Sequence, residues 1–507
     1  MSWPDPLHLF LRQVASGPDR PAVVTDERTV SYRELAELAA RFAAAFHARV
    51  AAGPKVLIHL PQVAEAYAAM FGSLMAGGIY APANLSSPHL RQRALLDSFE
   101  PDIVVSSDDL APQLGLAADD ERLVRLDGLP AGDIRRAWPA HDLAYVMFTS
   151  GSTGVPKGVM IPRQGLAHYA NWAVEAMAVR PDDRWSQHPN LGFDLSVLDI
   201  YGALCAGAAL FPISTPRDRL LPGDVIRRHG LTIWNSVPSV IDLMARAKQV
   251  TARHFQSLRL LTFCGEPLLQ GHLNTIFQAR PDVTVHNTYG PTEATVSFTL
   301  SRLTAANFRD SCRASAALGD PIADMHLWLD GDSPDAGEIV IGGPQVARGY
   351  WRDPPRTQAA FGTTQDNGGD IATYRTGDWG VRHNGQVYFQ GRIDRQVKIH
   401  GHRLELAEVD SALRACGAVA ACTVLWEGQL HSFVEAATPL DAIGLKRDLA
   451  LRLPGYAMPA HIHEIAAIPR SANDKIDSGA LLEILGDAHD KPSTAGRSDL
   501  HDAPAVR

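Results

Sequence analysis

Residues 144–158 read AYVMFTSGSTGVPKG: an apolar run, then a loop of glycine, serine and threonine, then one lysine. A buried strand that opens into such a loop can cradle an anion with backbone N–H groups, hydroxyls and a mobile cation. The nucleoside-triphosphatase loop, G-x-x-x-x-G-K-[ST], requires adjacent Gly and Lys followed by a hydroxyl. Here Lys157 lies between Pro156 and Gly158, so that template fails and the stretch has to be read with its surroundings.

Outward from this loop, strands and helices alternate. Ser31 followed by Glu34 has the spacing of a capping box, opening a helix over SYRELAELAARFAAAF. Lys55–Leu60 reads as a short buried strand, followed by a helix through Ala64–Ala76 that stops at Gly77-Gly78. Further strands are predicted at Asp102–Val105, Leu143–Phe148, Ala208–Ile213, Leu231–Trp234, Leu258–Phe263 and Val283–Val285, with helices from Gly223 and Ser239. That rhythm predicts an α/β fold with largely parallel sheets. Beyond about residue 310, short β-prone runs between turns (337–342, 387–390, 396–399) predict a β-rich, more antiparallel part. A smaller α+β unit follows, with a helix over 406–416, strands over 419–426 and 431–436, and a helix over 444–453. The boundaries expected are 1–393 for the large N-terminal unit, 394–486 for the small one, and 487–507 for a polar, aperiodic tail without order.

With 507 residues the chain exceeds a single ordinary core. Its net charge of −9 argues against nucleic-acid binding as the main activity. No run approaches the roughly 18 apolar residues of a membrane span, and His8, Arg12 and Gln13 interrupt the N-terminal apolar stretch, so neither membrane insertion nor a secretory leader is expected. Five cysteines without C-x-x-C spacing suggest neither a disulfide framework nor zinc. A reducing cytoplasm fits them.

Four more segments carry chemistry. Asn287-Thr-Tyr-Gly-Pro-Thr-Glu puts an aromatic ring, a hydroxyl and a carboxylate, a ligand type for hard cations, within one turn. Tyr374-Arg-Thr-Gly-Asp presents an acid suited to a sugar diol, Gly391–Glu405 packs cations and carboxylates around two turns, and Ile468–Asp477 presents Lys475. Each alone also reads as a charged turn. In this order, together with the glycine loop, they resemble the adenylate-forming superfamily of acyl-CoA synthetases, luciferases and nonribosomal adenylation domains, from about Thr29 to Ala480. The resemblance implies a large N-terminal domain, a small mobile C-terminal one, and ATP and Mg²⁺ as cosubstrate and cofactor. Thr149, Ser150, Thr153 and Lys157 would hold the β- and γ-phosphates, Asn287 and Tyr289 adenine, and Gly151, Glu266, Thr288 and Gly290 would complete the ATP site. Thr292 would touch the α-phosphate, Glu293 would carry the metal, Asp378 with Arg392 would bind the ribose, Asp394 would be the hinge, and Lys475 would be the catalytic cation. The family loop usually has Gly before that lysine; this chain has Asp474, a residue that tolerates positive φ but could also pair with Lys475.

FDLSVLDIY at 193–201 corresponds to the family's substrate-defining segment. Members that activate amino acids use an acid at the position of Asp194 to meet the α-ammonium, and a buried carboxylate needs such a partner. Asp194 could instead cap the helix that follows. FDLSVLDIY, WNSVPS at 234–239, FCGE at 263–266 and NTYGPTEATV look most like stand-alone D-alanine–carrier protein ligases. The implied pocket is Phe193, Asp194, Leu195, Leu198, Asn235, Thr262, Cys264, Thr288, Val296 and Ser297. Cys264 should fill space and favour a small amino acid, while Asn235, Thr262 and Ser297 make the rim polar, so alanine, serine and glycine stay open. The acceptor would be the phosphopantetheine thiol of a separate carrier protein. Such carriers are acidic, and Arg392, Arg395, Lys398 and Arg403 are candidates for a docking patch. An acyl-CoA ligase and a catalytically dead binding protein are the competing readings.

Overall fold

The computed structural model describes residues 3–134, 141–151, 156–366, 369–399, 401–436, 441–469 and 477–490. Two sheets dominate it. The larger has nine strands, and its parallel centre consists of Ile233–Ser236, Leu260–Phe263 and Thr284–Tyr289. The other has six, with Lys55–His59, Ile79–Pro82 and Leu143–Thr149 parallel and Lys157–Pro162 returning antiparallel after the glycine loop. The parallel strands are largely buried on both faces, as in a sheet covered by helices on each side.

Helix Tyr32–Arg49 begins with the expected capping box: Glu34 N–H donates to Ser31 Oγ at 3.2 Å and Ser31 N–H to Glu34 Oε2 at 2.7 Å. Helix Ala64–Met75 is buried at every position but Glu65. Its two buried hydroxyls are both bonded: Ser73 turns back onto Ala69 O at 2.7 Å and Tyr67 donates to Gln187 Oε1 at 3.0 Å. The mixed α/β class is thus the one observed. Two strands lie elsewhere than their apolar letters suggest. The run expected at 231–234 is the strand Ile233–Ser236, because the ladder continues through Asn235 and Ser236, whose polar side chains are bonded inside the protein. The run expected at 283–285 extends over Thr284–Tyr289, which places Asn287, Thr288 and Tyr289 on a strand rather than in a loop.

The β-rich part is an antiparallel five-stranded sheet around the long strand Gly369–His383. After Arg392 the chain forms the hairpin Gln396–Ile399/His402–Glu405, helix Leu406–Ala415, the three-stranded sheet Ala420–Trp426, Gln429–Glu435 and His461–Glu464, and helices Ala442–Ala450 and Ser478–Asp490. Two apolar clusters, one over Ile399–Ala457 and one joining Cys422 to Leu485, serve this part alone. Its last helix runs to Asp490, past residue 486. Residues 491–507 lie outside the described residues.

Candidate active site

The strands Ile233–Ser236, Leu260–Phe263 and Thr284–Tyr289 run parallel, and just beyond their carboxyl ends Val237, Cys264 and Gly290 line one cavity of about 140 Å³. Ligands of open α/β sheets bind in this kind of crevice. Its other walls include Asp194, Thr292, Val296, Asp378, Arg392 and Lys398. A neighbouring cavity of about 90 Å³ shares Asp194 and Thr292 and reaches Thr149, Ser150 and Pro156 of the glycine loop. A third, of about 30 Å³, is lined by Glu266, Asn287, Thr288 and Tyr289. Segments far apart in the sequence, among them the glycine loop, the 287–293 turn, Asp378 and Arg392, therefore meet in one place. Gly151 is buried beside Ser150. Thr153, Asp474 and Lys475 lie outside the described residues.

A charge cluster forms the centre. Glu293 is fully buried. Its carboxylate lies 3.4 Å from Lys157 Nζ, accepts from Arg403 Nη1 at 2.8 Å and accepts from Tyr350 O–H at 2.8 Å. Burial opposes its ionisation, but Arg403 and then Lys157 outweigh burial and hold the carboxyl well below the usual range. For Lys157, burial and the neighbouring Arg403 lower the pKa, with Glu293 pulling the other way. Arg403 is anchored a second time, its carbonyl accepting from Ser150 Oγ at 2.8 Å. Among the described residues the buried Thr149 Oγ1 has no partner.

At the other end, Tyr289 O–H donates to Asp378 Oδ2 at 2.6 Å and Arg392 pairs with Asp378 Oδ1. Arg392 also donates to Asp394 at 2.7 Å through Nε, in the short link between strand Gln386–Arg392 and the hairpin. Lys398 Nζ stands 6.0 Å from the centre of the Tyr289 ring. Asn287 donates to Ala317 O at 2.8 Å, and Glu266 accepts from Ser239 N–H at 2.9 Å, capping a helix while facing the small cavity.

Asp194 precedes helix Leu195–Leu204 but makes no capping bond. It accepts instead from Thr292 Oγ1 at 2.6 Å, which sets the capping alternative aside. Burial raises its pKa, and the nearby Glu293 charge adds to that. Among the described residues no cation lies within 4 Å of it. Of the other pocket residues, Phe193, Leu195, Cys264 and Val296 line the cavity and Thr288 lines the smallest one, whereas Leu198, Asn235, Thr262 and Ser297 are buried without lining any of the three. The polar rim expected from Asn235, Thr262 and Ser297 is therefore corrected to a buried layer. Asn235 bonds Asp199, and Ser297 lies 3.3 Å from the Tyr169 hydroxyl. The docking patch is corrected too. Arg392, Arg395 and Arg403 are spent on Asp378, Asp410 and Glu293, and Lys398 faces the cavity.

Among groups with no functional reading from the sequence are Tyr350, which bonds Glu293, and His188 and Arg219, which line the cavity. Burial pushes His188 down to about 3, so it is a neutral ring against Trp234. Arg219 donates to Gln62 Oε1 at 2.5 Å and Asn190 Oδ1 at 2.9 Å.

This fold and this site define an ATP-binding adenylation domain of a ligase. The chain belongs to the AMP-binding enzyme family, which matches residues 10–351. It is 33% identical to the L-proline–[L-prolyl-carrier protein] ligase of Pseudomonas fluorescens, over 93% of this chain and 97% of that one. It is 28% identical to the D-alanine–D-alanyl carrier protein ligase of Bacillus licheniformis, over 92% and 96%. It also matches Tyrocidine synthase 3 of Brevibacillus parabrevis at 30% identity over 93% of this chain, spanning 8% of that protein's length. Among solved structures, the Vibrio cholerae adenylation domain AlmE in complex with glycyl-adenosine-5'-phosphate aligns with a TM-score of 0.81 at 27% identity, covering 95% of this chain and 98% of that one.

Proposed function

We propose that the chain activates a small amino acid as its aminoacyl-adenylate and transfers it to the phosphopantetheine thiol of a separate carrier protein. The carrying observation is Asp194: an acid facing the cavity, bonded to a neutral hydroxyl, with no described cation within 4 Å and Lys398 acting on it only from a distance. An α-ammonium group supplies what it lacks. Cys264 and Val296 narrow the same cavity beside Asp194, which suits a small substrate. The two carrier-protein ligases and AlmE name proline, D-alanine and glycine, so the choice among small amino acids belongs to this chain's own pocket.

In the first half-reaction the substrate carboxylate attacks the α-phosphorus of ATP and the bond to pyrophosphate breaks. No general base is required, because the nucleophile is already ionised at neutral pH. Lys157 and Thr149, whose hydroxyl lacks a partner among the described residues, would hold the departing pyrophosphate, with Ser150, Gly151 and Thr153. Tyr289 and Asp378 would hold base and ribose, helped by Asn287 and Arg392. Thr292 would steer the α-phosphate, and Lys475 would stabilise the charge that builds there. The hard carboxylate oxygens of Glu293 fit Mg²⁺, which would supply Lewis-acid stabilisation of the phosphates. In the second half-reaction the thiol attacks the carbonyl carbon and AMP leaves. Asp394 would be the pivot between 1–393 and 394–486. All five cysteines are free thiols and no described helix is long and apolar enough to cross a membrane, which supports a cytoplasmic site of action.

The test is ATP–pyrophosphate exchange over D-alanine, L-alanine, glycine, serine, proline and larger residues, with Lys475→Ala as control. Exchange with a small amino acid, lost in the control, is expected. Exchange with none would refute the reading. Dependence on coenzyme A would favour the acyl-CoA ligase alternative.

A further inference from the structure

The two apolar clusters of the part after Arg392 contain no residue of the large sheets, and the clusters of the large sheets contain none of its residues. No shared apolar core therefore sets how the small part lies against the rest. Its seat is held by rings and charges. The His402 ring meets Phe193 edge-on at 4.3 Å and stacks on Tyr456 at 3.8 Å, and Arg403 reaches Glu293. A further ion pair crosses the same junction, between Arg91 on helix His89–Phe99 and Glu408 on helix Leu406–Ala415. Their side chains are 12% and 4% exposed, so this is a desolvated pair and not a surface contact.

Glu408 stands at the third position of its helix, where a carboxylate can reach back to the first N–H groups of that helix. Here Oε1 turns outward to Arg91, and Oε2 is buried with no partner among the described residues. Burial raises the pKa of Glu408 despite Arg91. A half-compensated buried pair of this kind adds little to folding stability. It suits a reversible contact instead, because both groups return to water when the small part moves away.

The orientation held in this way has a place in the reaction. With Arg403 on Glu293, the carboxylate read above as the metal ligand is already spent. This seat therefore suits the step after pyrophosphate has left, not the attack on ATP. We propose that Arg91 and Glu408 are positioning residues, a catch that holds the small part in the seat used for thiol transfer and that opens for adenylation. This rests on the two half-reactions proposed above and deepens them by naming what holds one orientation.

The test separates the half-reactions in Arg91→Met, Glu408→Met and the double variant, using the amino acid that exchange identifies and pantetheine as the thiol. Removing one partner strands the other in the seated state, so thioester formation from preformed adenylate should fall at least about tenfold in each single variant. ATP–pyrophosphate exchange should be unchanged or faster. The double variant should regain most of the lost transfer, since a buried pair replaced by packed apolar chains often costs nothing. A structural defect would slow both steps together and would not be repaired by the second change. As a readout independent of any acceptor, the radius of gyration from small-angle scattering without nucleotide should rise in the single variants and return in the double one. Equal loss of exchange and transfer, unaltered transfer, or an unaltered radius overturns the catch. Loss of exchange in Arg91→Met alone also overturns it, because Arg91 borders the cavity of the glycine loop and would then serve ATP directly. Exchange with no amino acid in the unmodified protein overturns the underlying reading, whereas normal exchange with unaltered transfer in the variants overturns the catch alone.

Discussion

Replacing Asp194 by Asn keeps volume and the ability to accept from Thr292 Oγ1, and removes only the charge. Opposite unit charges about 4 Å apart attract by roughly 4 kcal/mol at an effective dielectric of about 20. The net value of a hydrogen bond to a charged group is about 1.5–3 kcal/mol. Taking about 3–4 kcal/mol as lost, and about 1.36 kcal/mol per decade, kcat/KM for the amino acid in exchange should fall by about 10²–10³. Without substrate the direction reverses. The folded pKa of Asp194 is raised, so the native state holds that proton to higher pH than the unfolded chain does. The resulting stability is full below the unfolded value and declines as pH rises toward the folded one. At neutral pH the Asn variant should therefore melt at or above the wild-type temperature. A loss of exchange under tenfold would refute the ammonium role. A marked drop in melting temperature would refute the assignment of Asp194 as a substrate-facing rather than structural acid.

The same chemistry predicts three further outcomes. Glu293→Gln leaves Lys157 and Arg403 without their shared anion, a loss that typically costs about 3–5 kcal/mol for a buried pair, and denaturant titration should show it alongside loss of exchange. Because the folded pKa of Glu293 is depressed, its contribution is complete above about pH 4.3, the ordinary glutamate value, and is lost as pH falls through the folded value. The Gln variant should accordingly lose less stability than wild type on acidification below that pH. In a pH profile of kcat/KM for the amino acid, an acid limb should appear above the ordinary carboxylate range and vanish in Asp194→Asn.

How much of this the letters carried depends on distance along the chain. The glycine loop, the NTYGPTE turn, Asp378 and Arg392 were legible because each belongs to a local pattern, and the α/β class followed from the alternation of elements. The partner of Glu293 was not legible: Arg403 lies 110 residues away and reaches it only because the hairpin folds back onto the large sheets. Tyr350 is 57 residues from Glu293, on a segment with no motif. The pocket shows a different limit. Strand alternation gives the face on which Asn235 and Thr262 sit, but their depth depends on Leu195 and Cys264 in front of them and on Asp199 behind. Asp194 could be a cap or a ligand by position alone, and only the direction of its side chain toward Thr292 decides between them.

The hairpin Gln396–Ile399/His402–Glu405 links these limits to the reaction. It brings Arg403 to Glu293 and Ser150, Lys398 to the Tyr289 ring, and Gly401 against Val237. Gly401 has φ +79°, and a side chain there would come within 2.2 Å of Val237, so both conformation and space demand glycine. A buried carboxylate needs compensating charge at every stage, and Lys157 alone, at 3.4 Å, is itself disfavoured by burial. With the hairpin seated, Arg403 completes that compensation. The arrangement also sets Lys398 beside the ring proposed to stack on adenine. A nucleotide and its cation would bring their own charge to Glu293 and Lys157, and Arg403 would then be redundant or opposed to the metal. On the proposed roles, seating of the hairpin and full engagement of ATP would therefore compete for one set of charges. Exchange of one cation for another at Glu293 gives the proposed pivot at Asp394 an electrostatic reason to work in both directions.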